Sequence, residues 1–369
     1  MNILVVGGGI AGLTAAIALG RNGFQVDIVE KDPEWTVYGV GIIQQANVVR
    51  AVSQLGILDE YIDAGFGYDF VEVYLPNGQC VARNPTPKLA EGYPANVGIG
   101  RPALQHVLGE NAKKAGAKLR LGVVVSDLLQ DDGGVDVDFS DGSKGRYDLV
   151  IGADGLYSQM RRMLLPEAKE PEFTGQGVWR YNLPRPRDMD CVRIYQGGIS
   201  AGLVPLSRDQ VYLFITTAEP GNPRYPRAGL AAHMREKLKP AALPVQALAG
   251  QITKDEDVVY KPLEWHFLDG DWHKGRVVLI GDAVHGTTPH LGQGAGMAIE
   301  DAIVLAEELA EKGDDIPAAL SAYQARRFER CQFIVQASLS ICMSQLGKGP
   351  AVDQMKISAQ TNEMISRPI

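Results

Sequence analysis

Cysteine is scarce in this sequence, with four residues among 369. No two of them form a C-x-x-C pair, and none lies near two histidines at ligand spacing, so no metal site is predicted. A disulfide framework is not expected in a chain of this length, and reduced thiols in the cytoplasm are the predicted state. The four are Cys80, Cys191, Cys331 and Cys342.

An excess of positive charge is also absent, since 36 lysines and arginines face 44 acidic residues for a net charge of −8. Nucleic-acid binders and proteins held electrostatically on membranes need a basic face. Neither nucleic acid nor a membrane is therefore an expected partner. A moderately acidic balance is ordinary for a cytoplasmic enzyme.

Long uninterrupted apolar runs are missing as well. The segment from Ile3 to Leu19 carries no charge, but four glycines interrupt it and no basic leader precedes it, so neither a signal peptide nor a membrane helix is predicted. With 45% hydrophobic and 22% charged residues, the composition is that of a globular protein of about two domains.

The first motif is Gly7-Gly8-Gly9-Ile10-Ala11-Gly12. It follows an apolar strand, Ile3 to Val6, and opens a helix that ends near Asn22. Glu30 ends the next strand, where it can accept hydrogen bonds from a ribose. Glycines in this turn let a pyrophosphate approach the helix N-terminus, so the unit predicts dinucleotide binding. A tight turn without a ligand is the alternative, and this motif alone does not separate NAD from FAD.

Two further motifs combine a strand, a glycine and an aspartate. The first is Asp148–Gly155, followed by Ser158 and Arg161. The second is Val278–His285, followed by Pro289 and by the glycine-rich run Gly292–Ala302. Asp282 can bind ribityl hydroxyls, and the N–H groups that open the Gly294 helix can stabilise negative charge on a reduced flavin. These motifs favour FAD.

The three motifs match, in order and spacing over residues 3–302, those of the class A single-component FAD-dependent monooxygenases. The sequence thus resembles the aromatic hydroxylase family that includes para-hydroxybenzoate, salicylate and urate hydroxylases. Arg101 matches the family arginine that touches FAD, and Asp154 with Arg161 resembles a fingerprint linked to FAD and nicotinamide use. Ala46 and Gly296 depart from a frequent proline and a frequent asparagine.

The resemblance implies an NAD(P)H-dependent hydroxylase of a small aromatic or heteroaromatic, phenol-type substrate. NADH or NADPH would reduce FAD, dioxygen would give a flavin C4a-hydroperoxide, and the ring would attack its distal oxygen. The FAD-binding positions carried over are Gly7, Gly9, Gly12, Glu30, Lys31, Gly41, Arg101, Val125, Asp154, Asp282, Pro289, Gly292, Gly294, Ala295 and Gly296.

The expected fold class is α/β. A Rossmann-like FAD-binding domain of the GR2 type would span 1–170 and 271–345, with an antiparallel-sheet substrate domain inserted at 171–270. Alternating runs such as Cys191 to Tyr195 predict that sheet. C-terminal helices would follow, and the tail 346–369 is expected to be loose. The arginine run from Arg326 to Arg330 is interpreted as a solvated helix face.

Catalytic candidates come from the predicted pocket between the Pro289–Gly296 segment and the inserted sheet. Arg180 and Tyr212 on the sheet and His290 on the segment would orient the ring and assist its deprotonation. The plainer alternatives are a surface ion pair for Arg180 and core packing for the tyrosine. His285 is interpreted as structural or close to the flavin.

Two other functions stay open at this point. One keeps the fold but changes the reaction to epoxidation or Baeyer–Villiger oxidation of a larger natural product. The other is a FAD-binding protein without turnover. The sequence does not name the substrate, and either a monomer or a homodimer is compatible with it.

Overall fold

The structure, a computed structural model, describes residues 1–369, which form 19 strands and 11 α-helices. The strands are β1 (Asn2–Val6), β2 (Gln25–Glu30), β3 (Gly41–Gln44), β4 (Gly65–Tyr68), β5 (Phe70–Tyr74), β6 (Cys80–Pro85), β7 (Asn96–Gly100), β8 (Lys118–Leu121), β9 (Val125–Asp131), β10 (Gly134–Phe139), β11 (Lys144–Tyr147), β12 (Leu149–Gly152), β13 (Glu172–Pro184), β14 (Val192–Tyr195), β15 (Ser200–Pro205), β16 (Gln210–Ala218), β17 (Val259–Trp265), β18 (His273–Lys274) and β19 (Val277–Leu279).

The helices are α1 (Ile10–Arg21), α2 (Ala46–Gln54), α3 (Leu58–Asp63), α4 (Arg101–Lys114), α5 (Gln159–Leu164), α6 (Leu230–Lys237), α7 (Leu243–Gln246), α8 (Asp282–His285), α9 (Gly294–Lys312), α10 (Ile316–Gln345) and α11 (Gln354–Ser366). Short 3-10 turns lie at Ala249–Gln251, Asp255–Asp257 and Pro289–Leu291. No helix combines the length and the apolar character needed to cross a bilayer.

A six-stranded sheet, in the order β18-β19-β12-β1-β2-β8, forms the first layer. Strands β1, β2, β8, β12 and β19 are parallel, and only the short edge strand β18 runs antiparallel. The central strand β1 is buried from Ile3 onward, as expected for a parallel strand covered on both faces. Helices α1, α9 and α10 pack together beside this sheet, around a core cluster of 65 residues.

A seven-stranded sheet, in the order β17-β13-β16-β15-β14-β5-β6, forms the second layer. The expected antiparallel pairing is observed among β13 to β17, whereas β14 pairs with β5 in parallel. The hairpin β5-β6 therefore adds two strands from an early part of the chain. The division into domains at residues 170 and 270 stays a prediction, to which this hairpin has to be added.

The two faces of the second sheet have different roles because side chains alternate along a strand. On β13, Trp179 is fully buried in a 19-residue cluster that also includes residues of α6 and α7. Its neighbour Arg180 lies on the opposite face, which is called the inner face below. The inner face also carries Asn182 and its cross-strand partner Tyr212.

The chain end is not loose, and that prediction is wrong. Helix α11 covers residues 354–366, and Ile365 is 3% exposed. Arg50 donates hydrogen bonds to the carbonyls of Ile365, Ser366 and Arg367, while Arg330 donates to those of Arg367 and Pro368. Guanidinium groups stabilise a helix C-terminus because its last carbonyls lack partners within the helix.

Candidate active site

The glycine turn between β1 and α1 allows no side chain at two of its positions. A Cβ on Gly12 would lie 1.9 Å from the carbonyl oxygen of Gly7. Gly7 has φ of +115°, and its Cβ would lie 2.4 Å from the carbonyl oxygen of Ala153, in the next motif. Gly9 has no atom within 4 Å of its Cβ position and caps α1 without a side-chain hydrogen bond. The turn thus leaves open space in front of unpaired N–H groups, where an anion can bind.

Glu30 lies beside this turn. Its carboxylate accepts hydrogen bonds from Gly8 N at 2.7 Å and Asp32 N at 2.9 Å, which leaves lone pairs for a ribose. Lys31 is exposed at the strand end. Trp35 donates its indole N–H to the Gly8 carbonyl at 2.8 Å and so ties the following loop to the turn.

The charged side chains of the Asp154 motif already form hydrogen bonds within the protein. The Asp154 carboxylate accepts from the hydroxyl of Ser158, the N-cap of α5, and from the first two N–H groups of that helix, those of Gln159 and Met160. Arg161 is 1% exposed and donates to the carbonyls of Ala283 and Leu156. The hydrogen bonds of both side chains therefore stabilise the backbone of the motif.

Val125 likewise turns away from the cleft. Its side chain is 2% exposed in the core, and its carbonyl oxygen accepts from Gln159. The residue can therefore offer a cofactor only its backbone.

Asp282 follows β19 and is exposed, with no protein group donating to its carboxylate. Gly281 before it has φ of +63° and a Cβ position 3.0 Å from that of Ala11, so the third motif lies directly against the start of α1. The surrounding protein desolvates Asp282 and raises its pKa, although the nearby Arg101 guanidinium opposes the rise. The carboxylate therefore has no donor within the protein and lies near the turn between β1 and α1, where it can accept hydrogen bonds from a ligand.

The loop from Pro289 to Gln293 is anchored by amide side chains. Gln45 donates to the Leu291 carbonyl at 2.9 Å, and Gln293 donates to Gln45 and Asn47. Gly292 has φ of +64° and lies against Gln45. Sequence reasoning missed this set, because an isolated amide side chain carries no periodic or motif signal.

Helix α9 begins at this loop with Gly294, Ala295 and Gly296, and no side chain caps it. The first N–H groups of a helix have no partner inside it, so these can stabilise an anion. A Cβ on Gly296 would lie 2.9 Å from Gln293 Oε1 and from Val48 Cγ2. This crowding favours glycine at position 296 of this chain.

Arg180 and Arg101 are guanidinium groups that act on each other electrostatically, and neither is in direct contact with a carboxylate. Neither makes a side-chain hydrogen bond or ion pair within the protein, so Arg180 is not in a surface ion pair. Burial, followed by repulsion from Arg101, lowers the pKa of Arg180 to about 10. Tyr212 is 6% exposed, and its hydroxyl interacts electrostatically with both guanidinium groups.

Gly41 places Arg101 and Tyr212 in one site. A Cβ on Gly41 would lie 2.5 Å from the Tyr212 ring, and Arg101 N donates to the carbonyl of the adjacent Val40. Asn182 donates to the Gly39 carbonyl at 2.6 Å, on the same side. The chain before β3 therefore crosses the inner face of the second sheet.

His290 links the loop to α10. Its Nδ1 lies 3.0 Å from Thr288 Oγ1, and its Nε2 lies 3.1 Å from Gln345 Oε1. Burial lowers the pKa of His290 to about 4, so the imidazole is neutral near pH 7. His285, by contrast, is fully buried and bonded to Asp301, which is a structural position.

The arginine run on α10 is not a solvated face, and that interpretation is wrong for two of its members. Arg327 is fully buried and pairs with Glu300 and Asp301, both of which are also fully buried. Arg330 pairs with Glu300 as well, whereas Arg326 stays partly exposed. The ion pairs hold α10 against α9 behind the flavin motif.

The donor set fits FAD. The unpaired N–H groups of the glycine turn suit the diphosphate, and Glu30 suits the ribose. Asp282, Arg101 and the N-terminus of α9 lie beside them and suit the remaining part of the FAD molecule. Ligands bind at the carboxyl edge of parallel sheets in such folds. The fold and the site define a flavin-dependent oxidoreductase with a second sheet.

Comparison with known proteins agrees. Residues 1–338 match the model described as "FAD binding domain", and the chain belongs to this family. It is 33% identical over 353 residues to the aurachin C monooxygenase/isomerase of Stigmatella aurantiaca, covering 94% of this chain and 90% of that protein. It is 31% identical over 355 residues to the 6-hydroxynicotinate 3-monooxygenase of Bordetella bronchiseptica, covering 91% and 90%.

A solved structure shows the same fold. Klebsiella pneumoniae HpxO, complexed with FAD and uric acid, superposes with a TM-score of 0.84 at 27% identity, covering 99% of this chain and 92% of that one. The chain is therefore an FAD-dependent monooxygenase with relatives that are hydroxylases of aromatic or heteroaromatic substrates. The predicted family, fold class, enzyme class and flavin cofactor are confirmed.

Proposed function

We propose that this enzyme uses NADH or NADPH and dioxygen to hydroxylate a small phenol-type aromatic or heteroaromatic compound that carries an anionic group. When bound, FAD supplies the redox chemistry that activates dioxygen. Two relatives support a heteroaromatic ring, since their names refer to 6-hydroxynicotinate and to uric acid.

One observation supports an anionic group on the substrate: Arg180 is a half-buried cation without a counter-ion. A desolvated guanidinium next to a second one is unfavourable unless an anion pairs with it. FAD would pair with Arg101, which leaves Arg180 for the substrate. A carboxylate or an acidic ring oxygen is the matching group because a guanidinium donates to two oxygens at once.

Tyr212 and His290 complete the proposed substrate site. The Tyr212 hydroxyl lies on the inner face beside Arg180, where it can orient a ring hydroxyl. His290 is neutral and can exchange a proton with that hydroxyl. Positioning matters greatly, since a ~1 Å misplacement can cost ~100-fold in rate.

The proposed FAD contacts follow from the geometry above. Gly9, Gly12 and Glu30 would bind the adenosine diphosphate half. Arg101 and Asp282 would bind the ribityl and ring half, together with the N-terminus of α9. Lys31 and Gly41 lie beside these groups, whereas Asp154 and Val125 would support the site indirectly.

The test compares hydroxybenzoates and hydroxypyridine carboxylates with their neutral amides as stimulators of NADH and NADPH oxidation. Product mass and released hydrogen peroxide are measured for the parent and for Arg180→Gln. Loss of a charge-assisted hydrogen bond is worth ~1.5–3 kcal/mol, or roughly 10- to 150-fold in kcat/KM. That loss is expected for the acids and not for the amides.

Arg187→Gln serves as a matched control, because Arg187 is an exposed arginine on the same sheet's periphery. It should behave like the parent. Equal rates for an acid and its amide, unchanged by Arg180→Gln, would remove the anionic group from the proposal. A parent enzyme that oxidises neither nicotinamide with any of these rings would remove the hydroxylase function itself.

A further inference from the structure

Gln345, the last residue of α10, reaches both walls of the proposed substrate site. Its Oε1 lies 3.1 Å from His290 Nε2, on the loop that follows the flavin motif. The same oxygen accepts from Gln176 Nε2 at 3.0 Å and, at the limit of hydrogen bonding, from Thr216 Oγ1 at 3.5 Å. One amide oxygen thus joins α10, the loop and the second sheet.

The sheet partners of Gln345 lie on the inner face. Gln176 is four residues before Arg180 on β13, and Thr216 is four residues after Tyr212 on β16. Residues separated by an even number share a face of a strand. Gln345 therefore spans the gap between loop and inner face, at a distance of about 13 Å along the strand from Arg180.

The amide orientation is set by the surrounding donors. Cys342 donates its thiol to Gln176 Oε1 at 3.3 Å, so the Gln176 amide group points its N–H at Gln345. The Gln176 N–H therefore needs an acceptor, so Gln345 presents its Oε1, and not its amide nitrogen, to Gln176. The same oxygen requires a proton on His290 Nε2, and Nδ1 then accepts from the Thr288 hydroxyl.

We infer that Gln345 is a positioning residue that joins the flavin loop to the substrate sheet, closes one end of the substrate site and holds His290 in its Nε2–H tautomer. The inference rests on the proposed function, because it takes the space between these walls as the substrate site. A side chain bonded to both walls fixes their separation. Loss of its oxygen should let the loop move from the sheet and expose the reaction to water.

The experiment compares Gln345→Leu, which keeps most of the volume but removes the acceptor, with Gln345→Glu, which keeps an acceptor. Gln336→Leu is the matched control, since Gln336 is an exposed glutamine on the same helix whose side chain bonds to nothing. FAD affinity, product per NADH and hydrogen peroxide release are measured at pH 8 in each holoenzyme. Side-chain ¹⁵N spectra report the His290 tautomer, assigned with a His290→Gln variant.

The expected result is selective for the acceptor. Gln345→Leu should bind FAD like the parent, release more peroxide, lose up to roughly tenfold in kcat/KM and show a mixed His290 tautomer. Gln345→Glu should retain product yield and the Nε2–H tautomer, and Gln336→Leu should match the parent.

Normal coupling in Gln345→Leu, equal damage in both Gln345 variants, or an unchanged tautomer in Gln345→Leu would each overturn the inference. The ¹⁵N measurement needs no turnover. If the parent hydroxylates none of the rings tested, the proposed function fails while the tautomer result still decides what Gln345 does to His290.

Discussion

Gly12 and Gly9 should respond very differently to the same added methyl group. At Gly12 the new Cβ would lie 1.9 Å from the Gly7 carbonyl oxygen, whereas real Cβ contacts are essentially never under 3.0 Å. The turn and α1 must separate by about the difference, 3.0 − 1.9 = 1.1 Å. The turn cannot retreat, because Gly7 already lies against the Ala153 carbonyl.

Overpacking of this kind costs ~1–3 kcal/mol of stability, and it moves the helix N-terminus away from the diphosphate position. If FAD binding loses a similar amount, its Kd rises roughly 5- to 150-fold. Gly9→Ala meets no protein atom within 4 Å, so its folding cost is limited to a weaker N-cap, about 1 kcal/mol or less. It should still weaken FAD, since the methyl group enters the space proposed for the diphosphate.

Thermal unfolding of the FAD-free protein and titration of FAD by quenching of flavin fluorescence separate the two effects. Gly12→Ala should lower both the unfolding midpoint and FAD affinity, and Gly9→Ala mainly FAD affinity. The reasoning is refuted if Gly12→Ala matches the parent in both measurements. It is also refuted if Gly9→Ala loses as much stability as Gly12→Ala.

Three other predictions concern charged groups. Asp282→Ala should weaken FAD by ~1–3 kcal/mol in a flavin titration, because ribityl hydroxyls lose a charged acceptor; unchanged affinity would contradict the assignment. Arg327→Met leaves buried carboxylates without a counter-charge and should cost ~3–5 kcal/mol in urea unfolding, whereas the partly exposed Arg326→Met should cost under ~1 kcal/mol; equal losses would contradict the burial argument. The lowered pKa of His290, about 4, means that the neutral base persists down to about pH 5, so kcat/KM should show no His290-dependent loss between pH 8 and 6, as judged against His290→Gln.

Local patterns predicted the flavin-binding half of the fold well. The glycine turn, the strand ending in Glu30 and the Asp282 motif are formed by neighbouring residues, and the structure brings them together at one edge of the parallel sheet. Arg180 and Tyr212 were found by their strand pattern, and they occupy one face, although their substrate role stays a prediction.

The errors came from contacts between distant parts of the chain. The arginine run looks solvated on a helical projection, but the acids that pair with Arg327, Glu300 and Asp301, lie on another helix, the second of them 26 residues away. The last helix binds through the carbonyls of residues 365–368, which a side-chain pattern does not show. Its N-cap, Asp353 accepting from Lys356 N, was the one local signal.

The bond from Trp35 to Gly8 places a fluorescent side chain at the glycine turn. The indole lies against the turn at which we propose the diphosphate binds, and the other three tryptophans belong to β13, β17 and the segment before β18. A nucleotide bound at this turn would change the surroundings of this indole, and hence its emission. The change in fluorescence on adding FAD that is present in the parent and absent from Trp35→Phe would therefore report entry of the nucleotide end of the cofactor in real time, without any substrate.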